Sequence, residues 1–88
     1  MSRYRIEFLK TAQKELLKLP KEIQQRIAAQ LDALLIDPYP PDTKKLKNGN
    51  GRFRIRVGDY RIIYRIEEEA LVILIIKIGH RRNIYDQI

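Results

Sequence analysis

The sequence predicts an α+β domain in the order β-α-α-β-β-β, a mostly antiparallel four-stranded sheet with a helical hairpin packed on one face. Three observations predict it. Apolar residues recur every three or four places from Lys21 onward, but every second place from Arg52 to Val57. Pro20 and the cluster Asp37-Pro38-Tyr39-Pro40-Pro41 mark where helices must stop. The apolar run from Leu71 to Ile78 suits a central strand covered on both faces.

Tyr4-Arg5-Ile6-Glu7-Phe8 alternates apolar and charged residues, as a half-buried strand does. Thr11 can cap a short helix whose inner positions are Leu16, Leu17 and Leu19. Pro20 ends it and suits the start of the next helix. In that helix Ile23, Ile27, Leu31, Leu34 and Leu35 form one apolar stripe ending near Asp37. A loop leads to Phe53, Ile55 and Val57, which alternate with Arg52, Arg54 and Arg56. Gly58-Asp59 is a two-residue hairpin turn, and Tyr60-Arg61-Ile62-Ile63-Tyr64-Arg65 returns. Glu67-Glu68-Glu69 makes an acidic turn, Leu71 to Ile78 the last strand, and Gly79 ends it before a polar tail.

The 88 residues form one domain, residues 1–88, too short to bury more than roughly 60–65% of the unfolded surface. No cysteine is present, so neither a disulfide nor a thiolate is available. The opening residues lack the apolar core of a secretory signal, and no run approaches the roughly 20 residues that span a bilayer. A cytoplasmic protein without a membrane partner is expected. The net charge of +7 favours polyanions. It is concentrated between residues 43 and 64, where Lys44, Lys45, Lys47, Arg52, Arg54, Arg56 and Arg61 face one acid, Asp59.

The hairpin register carries the chemistry. With Gly58-Asp59 as the loop, Val57 lies opposite Tyr60, Arg56 opposite Arg61, Arg54 opposite Ile63 and Arg52 opposite Arg65. One side then shows Phe53, Ile55, Val57, Tyr60, Ile62 and Tyr64. The other shows Arg52, Arg54, Arg56, Arg61 and Arg65. Like charges directly opposite destabilise a sheet by a few tenths to about one kcal/mol each. An anion seated between them explains the array, and a phosphate suits the planar guanidinium fork. The bland alternative is a solvated face with ion pairs to Glu67, Glu68 and Glu69.

The blocks Asp59-Tyr60-Arg61-Ile62-Ile63-Tyr64 and Gly79-His80-Arg81-Arg82 with Tyr85, together with Lys45-Leu46 and Phe53-Arg54-Ile55-Arg56-Val57, resemble the RelE toxins of toxin–antitoxin pairs, within the RelE/ParE superfamily. The resemblance covers almost the whole chain. It implies a RelE-like fold and a ribosome-dependent endoribonuclease that enters the A site of the 70S ribosome and cuts the mRNA codon held there. It also implies a cognate RelB-like antitoxin, acidic and partly disordered until bound, in a toxin–antitoxin hetero-oligomer. Carried over position by position, the catalytic set is Arg54, Arg56, Arg61, Arg81 and Tyr85, with His80 at a position that varies among relatives. The spacing from Arg81 to Tyr85 is shorter than in some members. Lys44, Lys45, Lys47, Arg52, Arg65 and Arg82 complete an RNA-binding surface.

As chemistry, RNA brings its own nucleophile, the 2′-hydroxyl beside each phosphate. A base must take that proton, an acid must protonate the leaving 5′-oxygen, and cations must hold the phosphorane charge. Tyr85 is the expected base: its pKa, ordinarily near 10, falls among arginines. Arg81 is the acid or charge stabiliser, and Arg54, Arg56 and Arg61 grip phosphate. His80 is the rival base. No ligand cluster implies a metal, and no cofactor is expected. Two other readings stay open: a ParE-like toxin that inhibits DNA gyrase by protein contact, and a basic nucleic-acid-binding module that cuts nothing.

Overall fold

A computed structural model describes residues 4–41, 43–46 and 51–84 of the chain. The elements are β1 (Arg5–Phe8), α1 (Lys10–Leu17), α2 (Lys21–Ile36), β2 (Lys44–Lys45), β3 (Arg52–Val57), β4 (Tyr60–Glu67), β5 (Val72–His80) and α3 (Arg81–Ile84). One sheet runs in the order β1-β5-β4-β3-β2. Among the described strands only the β1–β5 pair is parallel. The crossover from β1 to β5 carries α1, α2 and the rest of the sheet. The fold is the expected α+β arrangement, with β2 as an added fifth strand.

The hairpin pairs as its sequence predicts. Val57 lies opposite Tyr60, Arg56 opposite Arg61, Arg54 opposite Ile63 and Arg52 opposite Arg65. Gly58 has φ +60°, a left-handed turn conformation that disfavours side chains with a Cβ. The alternation then sorts the residues onto two faces. On the helix side, Ile55, Val57, Ile62, Tyr64, Ile73, Ile75 and Ile78 form one buried cluster with Ala12, Ile27, Leu31 and Leu34. At roughly 25 cal/mol per Å² of apolar area, this cluster is the main stabilising term.

Several local expectations are corrected. Thr11 does not cap α1: the helix starts at Lys10 with Leu9 at its N-cap, and no side chain caps it. Ala12 rather than Leu17 faces the sheet from α1, and Leu17 is exposed. The stripe on α2 matches the structure, with Ile27, Leu31 and Leu34 buried. Lys44 and Lys45 leave the expected loop and pair with Arg54 and Phe53. Gly79 does not end the last strand, which runs on to His80, and the polar tail begins as a short helix. Leu71 falls in the turn, at φ +56°.

A bulge explains how β5 fills the core. Ile63 pairs with Lys77 but Tyr64 with Ile75, so Ile76 is the extra residue. Strict alternation from Ile73 and Ile75 would aim Lys77 into the core. The bulge shifts the phase by one and Ile78 points in instead, only 1% exposed. At the far end of the sheet, Tyr64 Oη donates to the Pro38 carbonyl at 3.0 Å. Its one proton is then used, so Thr43 Oγ1 is the donor to Tyr64 Oη, also at 3.0 Å. These bonds tie the loop after α2 to the sheet. Among the described residues no helix is long and apolar enough to cross a membrane.

Candidate RNA-cleaving site

The face of the sheet away from the helices is cationic because β2, β3 and β4 alternate in phase. Lys44 lies opposite Arg54, Arg56 opposite Arg61 and Arg52 opposite Arg65. Three cross-strand rungs therefore pair like charges, each of which costs a few tenths to about one kcal/mol. One rung is relieved locally: Arg65 Nε donates to Glu67 Oε1 at 2.9 Å. That ion pair, largely exposed, matches the solvated-face alternative for Arg65. A cleft of about 440 Å³ opens beside the hairpin, lined by Pro41, Lys44, Arg54, Arg56 and Gly58.

Arg61 is the unusual member. It is 6% exposed, although charged side chains are almost never fully buried without a partner. Its Nη1 reaches the Tyr60 carbonyl at 3.5 Å, a marginal length. Its Nε has no hydrogen-bond partner among the described residues. No acid among them forms an ion pair with it. A buried guanidinium facing Arg56 with a donor left over is the least compensated charge among the described residues.

The end of β5 completes the site. Gly79 lies beside Arg61 and His80 beside Tyr60. The Arg81 N–H donates to the Asp59 carbonyl at 2.8 Å, which joins the start of α3 to the hairpin turn. Arg81 and Arg82 are exposed there, and α3 packs on β4 and β5. His80 is placed differently from the arginines. Alternation sets it on the Tyr60 side, and the two rings meet edge to face at 5.5 Å. Its Nδ1 accepts the Arg82 N–H at 3.2 Å, which leaves the ring proton on Nε2 in the neutral form. Lys45 also departs from the array: it pairs with Phe53 and so belongs to the helix-side face. Tyr85 and Lys47 lie outside the described residues.

Two features have no counterpart in the sequence pattern. Arg26, on α2, lies over the hairpin turn: a Cβ on Gly58 would stand 3.2 Å from its Nη1. Glu15, on α1, reaches the end of β5, where its carboxylate accepts from Lys77 Nζ at 2.8 Å and from the Ile78 N–H at 3.1 Å. Neither contact has a local sequence signal, since each partner is far away along the chain. Among the described residues no group of three or more His, Cys, Asp or Glu could hold a metal ion.

Comparison with known proteins decides the family. The family model for the ParE toxin of type II toxin–antitoxin systems matches residues 6–85. The chain belongs to the RelE/ParE toxin family. Within it, the similarity is to RelE-type toxins. A putative RelE-like toxin protein of Escherichia coli is 33% identical over 92% of this chain and 86% of its own length. Toxin RelE3 of Methanocaldococcus jannaschii is 34% identical over 93% of this chain and 96% of its own. Among solved structures, the RelE–RelB complex of Pyrococcus horikoshii superposes with a TM-score of 0.79 at 34% identity, covering 91% of this chain and 97% of that one. The RelE-type toxin fold thus supplies the sheet on which the arginine array is built.

Proposed function

We propose that this toxin is a ribosome-dependent endoribonuclease that cuts mRNA in the A site and stops translation. The single observation that carries the reading is Arg61: a buried guanidinium with an unused donor, opposite Arg56 and beside the Arg54 cleft. A scissile phosphate seated in the cleft would gain charge-assisted bonds from Arg54 and Arg56, with the buried Arg61 charge behind them, and these strengthen as the phosphorane gains charge. The 2′-oxygen attacks the neighbouring phosphorus, the 5′-oxygen leaves, and a 2′,3′-cyclic phosphate remains. In this scheme Arg81, which follows the hairpin turn contact, stabilises or protonates that leaving oxygen. Tyr85 lies four residues further along the chain and is the base in this scheme. The orientation of His80 towards Tyr60 and its bond to the Arg82 N–H favour Tyr85 over it.

Lys44, Arg52 and Arg82 extend the binding surface for single-stranded RNA. The ribosome supplies positioning, which is worth roughly 7–11 kcal/mol in favourable cases. The partner that silences the toxin is a RelB-like antitoxin, since its solved relatives are RelE–RelB complexes, and the charge of the arginine face calls for acidic residues on that antitoxin.

The ParE description of the matching family model favours one second reading, inhibition of DNA gyrase. Parallel assays separate the two. The nuclease reading predicts mRNA breaks in a purified translation reaction and unchanged DNA supercoiling by gyrase. Intact mRNA with blocked supercoiling would transfer the assignment to gyrase.

A further inference from the structure

We infer that Glu15 is a positioning residue: its carboxylate fixes the end of β5, and through it His80 and Arg81, against the hairpin. The inference rests on the nuclease reading for its catalytic consequence, but the latch itself is a matter of geometry. β1 ends at Phe8, opposite Ile75, and the Leu9 N–H makes the last bond from that side, to the Ile75 carbonyl at 3.0 Å. Beyond that point β5 has lost its neighbour. Ile78 is buried, so its N–H needs a partner that β1 no longer offers. Glu15 Oε1 supplies it at 3.1 Å, and Glu15 Oε2 accepts from Lys77 Nζ at 2.8 Å. The carboxylate thus replaces the missing strand for one rung.

The site begins directly after Ile78 in the chain. Gly79 lies beside Arg61, and two residues later the Arg81 N–H meets the Asp59 carbonyl. The segment is held on one side by β4, and on the other the Glu15 carboxylate takes the Ile78 N–H. Removing the carboxylate leaves a buried N–H unpaired, and the strand end must shift or open to hydrate it. The ion pair with Lys77 is partly exposed and is the lesser contribution. The neutral acceptor of Glu15→Gln should therefore keep most of the function.

The test uses the full chain with Glu15→Ala, Glu15→Gln and Glu15→Asp, read by cleavage on programmed ribosomes and by amide hydrogen exchange. A misplacement on the order of an ångström costs up to about 100-fold in rate. Glu15→Ala should therefore lower kcat roughly 10- to 100-fold with KM little changed, while Glu15→Gln stays near wild type. Exchange at Ile78, Gly79, His80 and Arg81 should quicken in Glu15→Ala while Ile62 keeps its protection. Should the alanine variant not fold, Glu15→Asp, one methylene short, should show the same local quickening in milder form. Equal loss of protection at Ile62, or unchanged exchange at Ile78, overturns the latch. A wild-type protein that cuts nothing overturns the nuclease reading, and the exchange result then decides the latch alone.

Discussion

Replacing Arg61 by methionine should make the free protein more stable while removing its activity. Arg61 is 6% exposed, and its Nε is unbonded among the described residues. A buried donor left unsatisfied costs about 1–3 kcal/mol. The Arg56–Arg61 rung adds a few tenths to about one kcal/mol of repulsion. Methionine keeps a stem of similar length, lacks the donor and the charge, and gives up only the weak 3.5 Å contact to the Tyr60 carbonyl. The net gain is about 1–2 kcal/mol, since apolar replacement of a buried charge is often stabilising. In a domain of this size that raises Tm by roughly 5–15 °C. Thermal and urea unfolding of both proteins at matched salt measure it, and inorganic phosphate should narrow the gap by stabilising wild type more than the variant. A methionine variant less stable than wild type by about 1 kcal/mol or more would refute the reasoning, because the guanidinium would then be a satisfied structural group.

Three further outcomes rest on other contacts. Tyr64→Phe deprives the Pro38 carbonyl and Thr43 Oγ1 of their partner; urea unfolding should show a loss of about 1–3 kcal/mol. Burial pushes the Tyr64 phenol up, with the Thr43 bond opposing and Asp37 adding, so its ultraviolet titration should come later than that of an ordinary tyrosine. Gly58→Ala places a Cβ at φ +60° and against Arg26. It should cost roughly 1–2 kcal/mol, and pairing it with Arg26→Ala should recover only the part due to the contact. Tyr39 Oη donates to Glu68 at 2.6 Å, and that bond, with burial and the Glu68 charge, pushes the phenol up to about 12. A raised folded-state pKa means the contribution is complete below pH 10 and is lost as pH climbs towards 12. Urea midpoints of wild type and Tyr39→Phe should therefore differ below the ordinary phenol pKa and converge as pH rises from 10 to about 12.

The parts of the fold that are legible in the sequence are those governed by period. The hairpin register follows from Gly58-Asp59 and strict alternation, which alone set Arg56 opposite Arg61. The α2 stripe is legible for the same reason. The bulge at Ile76 is not, because Ile73 to Ile76 is apolar throughout and nothing local marks where the phase slips. The strand at Lys44-Lys45 is hidden because two lysines carry no alternation and pair only once Arg54 and Phe53 are in place. Burial of Arg61 is also beyond the pattern, which assigns it to the same face as the exposed Arg56. His80 stands out in the sequence for its chemistry, and only the continuation of β5 through Gly79 shows that it turns towards Tyr60.

Primer extension on mRNA held in ribosomes with an empty A site tests the central claim most directly, using wild type, Arg81→Ala and Tyr85→Phe. The account predicts a new break within the A-site codon for wild type, slowed by about 100-fold or more in both variants, in line with the removal of one stabilising donor or one acid–base group. Intact mRNA with wild type, or equal cleavage by all three proteins, would contradict it.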